Sequence, residues 1–91
     1  MCTINIAYIL KDVDYPTAGA KLYDMIIARY DAEDSITLDL MDVDALPSMF
    51  LNTSIGKLIT NKGKLALKKI RFANISKSQA ERIKDYVAKV S

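Results

Sequence analysis

The 91-residue chain has no histidine and no tryptophan, one cysteine, three glycines and two prolines. The missing histidine removes the commonest general base and the commonest transition-metal ligand. With Cys2 alone, no intrachain disulfide forms and no Cys/His zinc set can be assembled. Ser/His/Asp and Cys/His nucleophilic systems fall on the same ground. A chain without a disulfide framework suits a reducing, cytoplasmic setting. No apolar run approaches the roughly 18 residues of a membrane span. The N-terminus lacks the basic region, apolar core and small-residue site of a signal peptide. An enzyme built from this chain would have to rely on carboxylates or lysines. The expectation is a non-enzymatic protein without a cofactor or a metal.

What is present is a core and an uneven distribution of charge. Hydrophobic residues make up 51% of the chain and charged residues 26%, enough for one domain spanning 1–91 and too mixed for disorder. Residues 1–45 carry nine acids and three bases, a net of −6; residues 46–91 carry two acids and ten bases, a net of +8.

Apolar periodicity alternates between strand and helix. Thr3–Leu10 begins by alternating and then runs continuously apolar, as a strand entering a core does. Lys11–Pro16 reads as a turn, with Thr17 as N-cap of a first helix. Its inner face would carry Ala18, Leu22, Met25, Ile26 and Arg29, with Tyr23, Ile27 and Tyr30 beside it. Gly19 in its first turn suggests a close backbone approach. Asp31–Asp34 is a solvated loop. Ser35–Leu40 is the central strand. Pro47 suits the first position of a second helix over Ser48–Asn61, with Leu51, Ile55, Leu58 and Ile59 facing the core. Gly63 suits its left-handed cap. Leu67–Ala73 reads as a third strand, with Ile70 and Phe72 opposite Lys69, Arg71 and Ala73. Ser76 and Gln79 form a capping box for a last helix whose stripe is Ala80, Ile83, Val87 and Val90. Strand and helix alternate three times (βαβαβα), which implies an α/β fold with a mostly parallel, or mixed, sheet packed by three helices.

Ligands and partners of open α/β sheets meet the carboxyl ends of the strands. The turn after the central strand, Met41–Leu46, is therefore the first candidate for a functional face. Asp39, Asp42 and Asp44 form the densest acidic cluster, read either as solvated turn residues or as a weak Mg²⁺ site. Met49 and Phe50 either plug the top of the core or contact a partner, since such residues are enriched at interface cores. Gly56–Lys64 fails as a phosphate loop: six residues instead of four separate its glycines, and Leu65 stands where Ser/Thr is needed. Lys57, Lys62, Lys64, Lys68, Lys69 and Arg71 lie in a stretch, 57–71, without an acid. This basic segment reads as a solubilising surface, as a patch for an acidic partner, or as a nucleic-acid contact with a single aromatic, Phe72, for stacking. A short strand with a free edge is compatible with a homodimer.

The stretch ITLDLMDVDALPSMFLNTSIGKL, residues 36–58, resembles the STAS-like domain family of unknown function. Ala18-Gly19-Ala20-Lys21-Leu22 and Lys68–Asn74 resemble that family's first helix and third strand, so the likeness spans about residues 15–90. The wider relatives are anti-sigma-factor antagonists, small α/β domains that bind an ATPase-fold kinase and are switched by serine phosphorylation at a helix start. On that alignment Ser48 matches the first serine of their pair, and Met49 stands in place of the phosphorylated second. The resemblance implies a STAS-like regulatory or adaptor module binding another protein, such as an ATPase-fold kinase or an anti-sigma factor. Its contact would run through residues 42–54: Asp42, Asp44, Ser48, Met49, Phe50 and Asn52. Ser48 and Ser54 are the hydroxyls available for a displaced switch; a nucleic-acid-associated module using 57–71 is the alternative.

Overall fold

Three short strands carry the architecture. The computed structural model describes residues 2–90, so the outermost positions of the expected 1–91 domain lie outside the described residues. Strand β1 is Cys2–Asn5, β2 is Ile36–Asp39 and β3 is Ile70–Ala73. They form one sheet in the order β1-β2-β3, both pairs parallel. In register, Ile4, Leu38 and Phe72 lie side by side, as do Cys2, Ile36 and Ile70. This face is apolar and joins the helices in a single core. The opposite face carries Thr3, Thr37 and Arg71, then Asn5, Asp39 and Ala73, all exposed or half-buried. The sheet is thus parallel yet buried on one side only, where parallel sheets are ordinarily covered on both. The α/β class and the parallel pairing agree with the sequence reading.

Five helices replace the three expected. The apolar run after β1 turns into a short helix, α1 (Ile6–Leu10), instead of extending the strand. Asn5 is the cause: its Oδ1 accepts the Tyr8 N–H at 2.9 Å, an N-cap that stops the strand and buries Ile6 and Ile9 three residues apart. Helix α2 (Tyr15–Arg29) is capped by Asp14, not Thr17; Asp14 Oδ1 accepts from Thr17 N at 3.2 Å, and Pro16 sits in the first turn. Its buried face is Ala18, Gly19, Leu22 and Ile26, while Met25 is half-buried and Arg29 is exposed.

The second helix is broken into α3 (Ser48–Thr53) and α4 (Ile55–Lys62), with Ser54 at φ −113° and ψ −86°. Two hydroxyls compete there for helical carbonyls. Ser54 Oγ donates to Phe50 O at 2.7 Å, and Thr53 Oγ1 donates to Met49 O and Phe50 O at 3.2 and 3.3 Å. Such back-bonding disturbs the i→i−4 ladder. Leu51, Ile55 and Leu58 remain core, with Ile59 half-buried. Pro47 is the N-cap, one position before its expected place; its carbonyl accepts from Phe50 N and Leu51 N. Gly63 ends α4 at φ +86°, its N–H on Ile59 O at 2.8 Å.

A 3-10 segment (Lys64–Lys69) takes the first half of the expected third strand. The last helix, α5 (Lys77–Val90), opens on the expected capping box: Gln79 N donates to Ser76 Oγ at 3.1 Å, and Ser76 N donates to Gln79 Oε1 at 2.9 Å. Of its stripe, Ile83 is buried, Ala80 and Val87 are half-buried and Val90 is exposed.

Gly19 sets the distance between α2 and α3. A Cβ added there would stand 2.5 Å from Phe50 O and against Thr53 Oγ1. Backbone cannot yield as a side-chain tip can, so Gly19→Ala is expected to destabilise by about 1–3 kcal/mol despite alanine's better helix propensity. The midpoint of urea unfolding checks this; an unchanged or raised midpoint contradicts it.

Candidate functional site

The loops that follow the strands leave the sheet at its carboxyl end, and the turn after β2 is the most constrained of them. Asp39 Oδ1 accepts from Met41 N at 3.0 Å and from Asn74 Nδ2 at 2.8 Å. Leu40 N donates to Ala73 O at 2.9 Å, carrying the β2–β3 ladder one residue further. Val43 N then closes a turn on Leu40 O at 3.0 Å, with Asp42 at φ +65°. Asn74 also has positive φ, +55°. Asp and Asn are the non-glycine residues that tolerate this region best. The two hydrogen bonds hold the Asp39 carboxyl below the ordinary aspartate range, Asn74 having the larger effect.

The rest of the loop is fastened from beneath and from the side. Val43 and Leu46 are buried. Helix α5 supplies the side fastening through residues 79, 82 and 86, which share a face of the helix. The buried Gln79 donates Nε2 to Val43 O. Arg82 donates Nε to Leu46 O at 2.6 Å and Nη2 to Ser48 Oγ at 3.3 Å. Tyr86 OH donates to Asn52 Oδ1 at 2.6 Å, and partial burial raises its phenol pKa. Gln79, Arg82 and Tyr86 were not among the residues expected from sequence. Their signal, three polar residues at helical spacing, is indistinguishable from a solvated face until the partner carbonyls are placed.

The structure sorts the expected site residues into two groups. Asp42, Asp44, Ser48, Met49 and Asn52 are exposed on one continuous turn and helix start. Phe50 is not with them: it is 2% exposed, in the core with Leu46 and Leu51. Being next to Met49 on a helix, it points about 100° away, and that direction is inward. Ser54 is 0% exposed, with its hydroxyl on Phe50 O. It is therefore removed from the positions a kinase can reach in the folded chain. Met41, which opens the expected turn, is 52% exposed, and Tyr8, which follows β1 and was not singled out by the sequence, is 75% exposed.

The acidic cluster does not converge on a point. Asp39 is turned onto Asn74 and the Met41 amide, and no three metal-ligating side chains gather among the described residues. The basic segment is partly spent on tyrosines: Lys57 Nζ lies 4.7 Å from the Tyr23 ring centre, and Lys62 and Lys69 lie 5.2 and 4.4 Å from that of Tyr30. Lys69 also donates to Tyr30 O. No helix among the described residues is long and apolar enough to cross a membrane.

A three-stranded parallel sheet with helices on one face, and a fastened acidic turn leading into a helix, define a small α/β domain of STAS-like type. The chain belongs to the family described as STAS-like domain of unknown function, whose model matches residues 18–88. No curated protein and no solved structure gives a significant match.

Two outcomes test this placement. Phe50→Asp is expected to cost at least about 4 kcal/mol, through a lost core aromatic and a buried charge, whereas Met49→Asp stays within about 0.5 kcal/mol; equal melting points contradict the assignment. For Asp39, the folded pKa is lowered, so its stabilising contribution is complete above the ordinary value of about 3.9 and lost as pH falls through the lower folded value. Asp39→Asn, which keeps an acceptor, is expected to flatten the acid limb of a stability–pH curve. An unaltered limb would show that Asp39 is not tied to Asn74. Asp14, lowered by Thr17, accounts for acid sensitivity that remains.

Proposed function

We propose that this domain is a non-enzymatic regulatory or adaptor module that binds another protein through the fastened turn and helix start, residues 41–52. The observation that carries the reading is the pairing of exposure with rigidity. Met41 and Met49 are 52% and 54% exposed at the two ends of a loop held by buried Val43 and Leu46 and by Gln79 and Arg82. A large apolar group held out by a pre-ordered loop loses little entropy on binding. Asp42, Asp44, Ser48 and Asn52 supply a polar rim around the methionines, the ordinary composition of a protein interface.

The acidic turn favours a partner surface with basic and apolar groups. By likeness to the anti-sigma-factor antagonists, an ATPase-fold kinase or an anti-sigma factor is the class to try first. Ser48 is the hydroxyl that remains exposed at the helix start, and Arg82 already donates to it. A phosphate on Ser48 would bring about −2 charge beside that guanidinium and alter the rim by charge and bulk. A nucleic-acid role for 57–71 has less support, because three of its lysines lie over tyrosine rings.

The test is capture from host lysate with wild-type bait and with Met49→Asp, each checked for an unchanged melting point. A specific protein retained by the wild type and lost by the variant is the expected result. Equal recovery by both baits removes the turn as the contact. Intact mass of the bait isolated from its host shows whether a phosphate has been added, and its loss in Ser48→Ala assigns it to Ser48.

A further inference from the structure

Strand β3 is an edge strand: no further strand pairs with its outer side among the described residues. Its backbone polarity follows from two bonds. Ala73 O accepts from Leu40 N, so Ala73 faces β2, and ladder alternation gives Arg71 the same direction. Ile70 N donates to Leu67 O, on the other side. The N–H and C=O of Phe72 therefore point outward from the sheet edge.

Beside that edge, between β3 and the outer flank of α5, lies a groove of about 390 Å³. Phe72, Ile75, Ala80 and Ile83 line it, with Lys77 and Lys84 at its rim; Glu81 is its one acid. Phe72 and Ile75 are partly exposed here although both pack on the core. None of its lining residues belongs to β2 or to the 41–52 turn. Lys77 and Lys84 outnumber that acid, and Arg71 is exposed on β3 itself, on the opposite face of the sheet.

We propose that the β3 edge and this groove form a second docking site, whose occupant is an extended, acidic and apolar segment of a partner protein added to the sheet beside β3. An apolar groove flanking unpaired main-chain groups is the arrangement used for strand addition: backbone bonds supply affinity, and alternate side chains enter the groove. In this register the segment's main chain pairs with Phe72 N–H and C=O. Every second side chain rests on Phe72, Ile75 and Ala80, and carboxylates at the rim meet Lys77 and Lys84. Charge decides the occupant. A second copy paired edge to edge would set Arg71, Lys77 and Lys84 against their own counterparts, and charged edges are a device that opposes self-pairing. The same cations attract a segment of opposite sign.

The test uses a ten-residue peptide alternating valine and glutamate, titrated into isotope-labelled full chain, with a valine–lysine peptide as control. The expected result is saturable binding of the acidic peptide, weakened by salt, with slowed hydrogen exchange at Phe72 N–H and no binding of the basic one. Ala80→Glu, which puts a carboxylate in the groove, and the double variant Lys77→Glu/Lys84→Glu, at exposed positions, should each weaken binding about tenfold or more at unchanged melting point. Absence of binding at millimolar peptide overturns the proposal, as do equal binding of the two peptides, full affinity in both variants, or shifts confined to residues 41–52. A concentration-dependent dimer abolished by Ala80→Glu would make a second copy the occupant and overturn it equally.

Discussion

The constraint on which this structure depends is its single apolar layer. Three four-residue strands offer one buried face, made of Ile4, Ile36, Leu38 and Ile70, while the other face carries Thr3, Thr37, Asp39 and Arg71. All helices must cover the same side. Space over so small a sheet is limited, and α2 and α3 meet at a glycine, Gly19, with no room for a methyl group. The cost of that contact is conformational, since glycine weakens a helix. The return is a dense core in which Phe50, Leu51, Ile26 and Leu22 are nearly inaccessible.

The same crowding explains how the turn after β2 becomes a surface of defined shape. Strand ends in a thin sheet have little beneath them, and their backbone groups need partners. Asp39 and Asn74 tie the ends of β2 and β3 together, and positive φ at Asp42 and Asn74 lets the chain leave each strand sharply. Helix α5 completes the arrangement by satisfying the carbonyls of Val43 and Leu46. Loop order is thus a product of hydrogen bonds from a distant part of the chain. Met41 and Met49 are held outward because Val43, Leu46 and Phe50 are held inward.

Charge has a comparable division. Of the acids of the first half of the chain, Asp12, Asp14, Asp42 and Asp44 lie in the connections that follow β1 and β2, while Asp31, Glu33 and Asp34 precede β2; the bases of the second half gather on α4, the 3-10 segment, β3 and α5. Part of that basic surface is internal structure, with Lys62 and Lys69 at the Tyr30 ring. The part beside β3 has an apolar groove and an unpaired strand edge for company, which sets it apart from a merely solubilising surface.

Local patterns made much of this legible. The α/β class and the parallel pairing follow from the alternation of strand and helix along the chain, and the Ser76–Gln79 capping box, the cap at Gly63, the close approach at Gly19 and the core stripe of Leu51, Ile55 and Leu58 follow from residues within a few positions of one another. These last signals act over one or two turns and need no knowledge of the rest of the chain. Two departures from the periodicity are themselves local, made by side-chain bonds three or four residues long: Asn5 converted an apolar run into a helix, and Ser54 and Thr53 broke a helix whose periodicity was continuous. Whether Phe50 or Met49 faces outward depends on which side of α3 meets α2, a matter of about 100° on one helix turn. The fastening of the 43–52 segment by Gln79, Arg82 and Tyr86 spans 34 to 36 residues of chain. Sequence by itself determined which segments would fold and which faces would be apolar. Only the tertiary structure decided which polar groups would meet, because a side chain's hydrogen-bond partner is set by its position in space and not by its neighbours along the chain.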